Sequence, residues 1–102
     1  MEIPLACELD AAAARAQVDE WSDLLARSVD GSTRVAPGRA ELRLRQGADV
    51  GEVVALAQRE ARCCGFFRFR LAIGADRVTL VVEVPDAAAP ALDGFAPPPP
   101  GG

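Results

Sequence analysis

Glu60-Ala61-Arg62-Cys63-Cys64-Gly65-Phe66-Phe67-Arg68-Phe69 is the stretch where a helical pattern gives way to a strand pattern. On its N-terminal side Val53, Leu56, Ala57, Glu60 and Cys64 recur at three- and four-residue spacing, with Cys63 at the margin. That spacing is the buried stripe of an amphipathic helix. Asp49 opens the helix, and Glu52 three residues later completes a capping-box-like pair. Gly65 reads as its terminator. On the C-terminal side Phe67, Phe69, Leu71 and Ile73 alternate with Arg68, Arg70 and Ala72, the two-residue period of a half-buried strand. After a short turn over 74–77, Val78, Leu80, Val82 and Val84 alternate back as its hairpin partner.

The same two periods recur towards the N-terminus. Residues 32–46 predict a second hairpin, with Pro37-Gly38 in the pattern of a type II turn. Its return strand sets Ala40, Leu42 and Leu44 on a buried face and Arg39, Glu41, Arg43 and Arg45 on a wet one. Ahead of it, Asp10 is the N-cap of a helix running to about Val29. Val18, Trp21, Leu25 and Ser28, flanked by Leu24, form its stripe, and Asp30-Gly31 closes it with Gly31 left-handed. Residues 3–9 predict a first strand with Ile3, Leu5, Cys7 and Leu9 on one face. Pro4 assigns it to an edge, since proline cannot donate to a ladder.

Beyond the second hairpin, Asp86 caps a last short helix. Pro90 sits near its first turn, and Leu92 and Phe95 dock. The order is β-α-β-β-α-β-β-α. This predicts an α+β two-layer sandwich, with both long helices on one face of a largely antiparallel sheet. Residues 1–96 form a single domain, and 97–102 are an extended or disordered Pro/Gly tail.

Bulk properties narrow the function. The 102 residues suffice for one core. A net charge of −4, with eleven arginines and no lysine, repels a phosphate backbone and argues against a nucleic-acid partner. No run approaches the roughly 18–20 apolar residues of a membrane span. The start lacks the basic and apolar regions of a signal peptide, so the expected location is the cytoplasm, without membrane association. There three cysteines stay reduced and form no disulfide framework. With no His, imidazole acid–base chemistry is excluded, and a metal site must use Cys, Asp, Glu or backbone.

Glu60, Cys63 and Cys64, at i, i+3 and i+4, share one side of a helix end. Cys7 lies on the core-facing side of the first strand. If that strand pairs beneath the second helix, three thiols and one carboxylate converge. Taken alone, Cys7 reads as a small buried hydrophobe before it reads as a ligand. The negative end of a helix dipole disfavours a thiolate, so sulfur gathered there calls for a cation. A soft metal ion supplies it, since coordination deprotonates a thiol outright. Sulfur without histidine suits Zn(II), Cu(I), Hg(II) or As(III). Glu60 would complete a tetrahedral zinc site, whereas sulfur alone suits trigonal Hg(II) or As(III). Phe66, Phe67 and Phe69 read as core and site wall. A vicinal Cys63–Cys64 disulfide would be strained.

The segment 60–69 resembles the E-x-x-C-C-P-F-F motif of a group of small, poorly characterised bacterial proteins. They also carry an early I-x-C-x-L strand, matched by Leu5-Ala6-Cys7-Glu8-Leu9. Some members occur beside or joined to mercury- and heavy-metal-responsive regulators, so the resemblance implies thiol-based metal handling. Gly65 stands where the group has proline, which leaves the helix end less rigid.

The expectation is therefore a cytosolic soft-metal or metalloid binding protein: a sensor module, buffer or chaperone. Cys63 and Cys64 are its primary ligands, Cys7 the third, and Glu60 an auxiliary ligand or acceptor. One alternative is an enzyme or sulfur carrier with Cys63 or Cys64 as nucleophile and Glu60 as base. Another is an interaction module, a homodimer through a sheet edge or the arginine-rich face.

Overall fold

The computed structural model describes the backbone of residues 11–96 and the side chains of residues 19–96. The predicted first strand with Cys7, the side chain of Val18 and the Pro/Gly tail lie outside the described residues. Within them the order is α1 (Ala11–Ser28), β1 (Val29–Ala36), β2 (Arg39–Leu44), α2 (Val50–Cys63), β3 (Arg68–Ile73), β4 (Val78–Glu83) and a 3-10 segment (Asp86–Leu92). The strands form one antiparallel sheet in the order β1-β2-β4-β3. Each hairpin thus supplies one central strand and one outer strand. The expected α+β class holds.

Ala40, Leu42 and Leu44 of β2 and Leu80 and Val82 of β4 share one core with Trp21 and Leu24 of α1 and Val53, Leu56 and Ala57 of α2. These are the stripes and alternations read from the sequence. Each fully buried aliphatic side chain contributes about 1.5–3 kcal/mol. Ser28, also buried, sits at the end of the α1 stripe. On the opposite face Val81 is buried too, flanked in register by Glu41 and Arg70. Arg39 and Arg70 both pair with Glu83 on that face, at 3.7 and 3.2 Å. The arginine row is tied into cross-strand charge pairs.

Two exposed ion pairs bridge the helices, Arg27–Glu52 at 2.9 Å and Glu20–Arg59. Their polarity is opposite at the two ends, which specifies antiparallel packing. The Arg59 hydrogen bond holds the Glu20 carboxyl below its ordinary value of 4.5. A lowered folded-state value means stabilisation that is present above about 4.5 and lost as pH falls through the lowered value. Glu20→Gln is therefore expected to lower the urea midpoint at neutral pH, with the two proteins converging in acid. A constant offset at every pH would contradict this.

Several details depart from the sequence expectations. Helix α1 runs directly into β1, and Gly31 is a strand residue rather than a left-handed cap. Among the described residues only Gly47 has a positive φ, 81°. The α1 terminus is closed instead by Arg45. Its backbone N–H donates to Ser28 O at 2.7 Å, and its guanidinium donates to Arg27 O and Val29 O, both at 3.2 Å. A cation there complements the helix dipole. A Cβ at Gly31 would lie 2.0 Å from Arg43 Nη2, the flexible end of a side chain that can swing aside.

The Pro37-Gly38 turn is likewise not type II, since Gly38 lacks the left-handed φ. Gly38 is needed because β4 passes close by: a Cβ would lie 2.3 Å from Val84 O, and Val84 N–H donates to Gly38 O at 2.8 Å. In α2, Asp49 caps as expected, its side chain accepting from Glu52 N–H at 3.1 Å. The Glu52 carboxylate, however, reaches Arg27 rather than returning to the cap. Asp86 makes no cap hydrogen bond, and Pro85 holds the N-cap position.

Strand β1 carries two register slips, between Val29 and Gly31 and between Arg34 and Ala36. The first reverses the alternation, so Arg34 aligns with Ala40 on the core side. Its side chain is 4% exposed. It donates to Ala89 O at 2.8 Å, Ala96 O at 2.9 Å, Asp93 Oδ1 at 3.2 Å and Pro37 O at 3.2 Å. A buried guanidinium thereby pins the 3-10 segment and the residues after it to the sheet.

Candidate functional site

Helix α2 ends at the cysteine pair. Cys63 is its last residue, and Cys64 is the C-cap, with φ −126° and ψ 87°. The Cys64 N–H still donates to Glu60 O at 2.8 Å, while Phe67 N–H donates to Cys64 O at 3.0 Å. Leaving the helical dihedrals turns Cys64 inward, where it is 1% exposed; Cys63 stays half-buried. A Cβ at Gly65 would meet nothing within 4 Å, so this corner has room.

The two cysteines differ in chemical state. Cys63 is a free thiol. Cys64 is disulfide-bonded. The adjacent pair is thus not joined to itself, in keeping with the strain expected of a vicinal bridge. The reading of uniformly reduced cysteines is corrected at Cys64.

Glu60 occupies the stripe as predicted and is 7% exposed. A carboxylate at that depth requires donors. Trp21 provides one, its Nε1–H reaching Glu60 Oε1 at 2.8 Å, and Glu60 has further interactions besides. Trp21 also stacks on Phe69, with centroids 5.9 Å apart and planes 8° apart, and meets Phe95 edge-on at 4.8 Å. Phe67 continues the cluster to Phe66, Phe69 and Phe95, at 5.0, 5.6 and 5.8 Å. Every aromatic residue of the chain therefore gathers beside the cysteine corner. Phe66, Phe67 and Phe69 are core and wall, as expected.

Two contributors were not read from the sequence: Trp21 as the donor to Glu60, and Phe95 as part of the wall. The signal was nonetheless present. A carboxylate in an apolar stripe demands a buried donor, and in a chain without Lys, His or Tyr only arginine, tryptophan or a small polar side chain can serve. Arg59, one turn before Cys63, is the nearby cation on α2. Its hydrogen bond to the Glu20 carboxylate chiefly raises its pKa, burial lowers it somewhat, and the charges of Glu20, Cys63 and Glu60 raise it further.

Among the described residues, no three His, Cys, Asp or Glu side chains are grouped to hold a metal ion. Glu60, Cys63 and Cys64 lie at one helix end without forming such a group, and the fourth predicted member, Cys7, lies outside the described residues. Nor is any described helix long and apolar enough to cross a membrane. No protein-family model, curated protein or solved structure matches the chain.

Proposed function

We propose that the chain is a thiolate-based binding protein for a soft metal ion or metalloid: Zn(II), Cu(I), Hg(II) or As(III). In the reduced protein Cys63 and Cys64 are primary ligands, Cys7 is the third, and Glu60 is the auxiliary carboxylate that Trp21 holds in place. One observation carries this reading. Cys64 is bonded to another sulfur while the neighbouring Cys63 is free. Reduction of that bond would leave Cys64 and Cys63 as two thiols on adjacent residues of one helix end.

Chemistry then selects the guest. Thiolate is a soft donor, and the negative pole of α2 favours a cation over bare thiolates. Zinc takes sulfur ligands near 2.3 Å, and mercury or arsenic suits a trigonal sulfur set. Native mass spectrometry under reducing conditions is expected to show stoichiometric uptake that Cys63→Ser combined with Cys64→Ser abolishes. Reduced protein that takes up none of Zn(II), Cu(I), Hg(II) and As(III) overturns the proposal.

A further inference from the structure

We propose that a cavity at the turn end of the outer sheet face binds a free α-amino acid or a like small molecule, one that carries both a carboxylate and an ammonium group. The cavity measures about 460 Å³ and is lined by Gly38, Arg39, Gly65, Phe66, Arg68 and Asp86, with Glu83 beside them. That size is ordinary for a small-molecule site. The β1–β2 turn, the corner between α2 and β3, and the exit of β4 build it together. The site does not depend on the thiolate reading above.

Its two arginines differ from most others in the chain. Arg27, Arg34, Arg43, Arg45, Arg59 and Arg70 each donate a hydrogen bond to a described residue. Arg39 and Arg68 donate none among the described residues. Both stand opposite Glu83, one on β2 and one on β3, so they flank a single position of β4 on the same face. Two strand spacings, about 10 Å, separate their backbones, a gap that two long side chains can close around a small anion. Glu83 does not meet their need. Its Oε2 accepts from Arg70 at 3.2 Å and lies 3.7 Å from Arg39 Nε, too far for a hydrogen bond. Arg39 Nε is screened from water and has no acceptor. That state is costly, and the side chain escapes it by swinging towards a carboxylate. Guanidinium suits that group through its paired N–H donors.

Asp86 sets the second requirement. Its carboxylate accepts no hydrogen bond among the described residues, and Oδ1 would lie 3.2 Å from a Cβ at Gly38. A ligand with a carboxylate alone meets this charge with nothing to offset it. An ammonium on the same molecule supplies the offset. Phe66, half-buried, presents apolar surface for the ligand's carbon chain.

Amide NMR titration of the full chain, without added metal, tests the site with related probes: L-leucine, isocaproate, which lacks the ammonium, and isoamylamine, which lacks the carboxylate. L-leucine is expected to shift the amides of Gly38, Arg39, Gly65 and Arg68. It should bind at least about fivefold more tightly than either of the others, the scale of one charge-assisted contact. Arg39→Gln and Arg68→Gln should each weaken leucine by at least about fivefold. Asp86→Asn should bring leucine close to isocaproate. Arg62→Gln removes another exposed arginine, outside the cavity, and should change nothing. Unchanged urea midpoints separate lost binding from lost fold, and Arg68, being exposed, gives the variant least able to disturb the fold. No shift with leucine, shifts confined to another surface, isocaproate binding as tightly as leucine, or full affinity in both arginine variants each overturns the proposal.

Discussion

Replacing Arg34 by alanine is expected to destabilise the protein by about 3–5 kcal/mol, the usual loss when one partner of a buried charged network is removed. Its guanidinium serves Ala89 O, Ala96 O, Pro37 O and Asp93 at once, with the side chain 4% exposed. Truncation leaves those carbonyls without a donor and opens a void beside the sheet. A domain of this size has a total stability of about 5–15 kcal/mol, so the loss is a large share. Urea denaturation measures it. Chymotryptic cleavage near Leu92 and Phe95 should quicken in parallel, because the C-terminal segment loses its anchor. Lysine cannot reproduce the fork and should recover little. The exposed Arg68→Ala, as control, should stay within about 0.5 kcal/mol. An Arg34→Ala protein as stable as that control would show that the guanidinium is not an anchor.

Trp21→Ala is expected to cost about 4 kcal/mol, within the range for emptying a large buried aromatic site. The indole is 6% exposed, stacks on Phe69, meets Phe95 edge-on and donates to Glu60. Trp21→Phe separates the parts: it keeps most of the apolar contact and removes the donor to a buried carboxylate, for a loss of about 1–3 kcal/mol. Combining it with Glu60→Gln in a double-mutant cycle isolates the hydrogen bond. Strict additivity in the cycle would mean that Trp21 does not position Glu60.

What could be read from the chain depended on whether periodicity was enough. Helix α2 was legible because an Asp cap, a three-and-four stripe and a strand of phenylalanines follow one another without a break. That stripe even placed Glu60 and Cys64 inside and Cys63 at the edge. The two hairpins were legible through Leu42 and Leu44, and through Leu80 and Val82, which sit at central positions of the sheet where alternation maps directly onto burial.

The rest was hidden for physical reasons. A one-residue slip near Asp30 reverses the faces of β1, so Arg34, polar by type, ends up inside, and no periodic template anticipates a slip. Gly31 and Gly38 were taken for dihedral specialists. Gly38 leaves space for the Val84 carbonyl, and at Gly31 the movable Arg43 guanidinium lies over the backbone. Such contacts join residues far apart in sequence. The state of Cys64 was illegible for the same reason, since a bridge depends on where distant segments meet.

The interleaved sheet also bears on how the molecule assembles. Ala40 faces Val82 and Leu42 faces Leu80 across the β2–β4 seam, so neither hairpin covers its apolar side by itself. Each ribbon forms quickly as a local event, within microseconds, but closing the seam requires a long intervening chain to be drawn in. Until it happens, two sticky half-sheets stand open to other molecules, and α2, the link between the hairpins, already has its cap as the means to shorten the search.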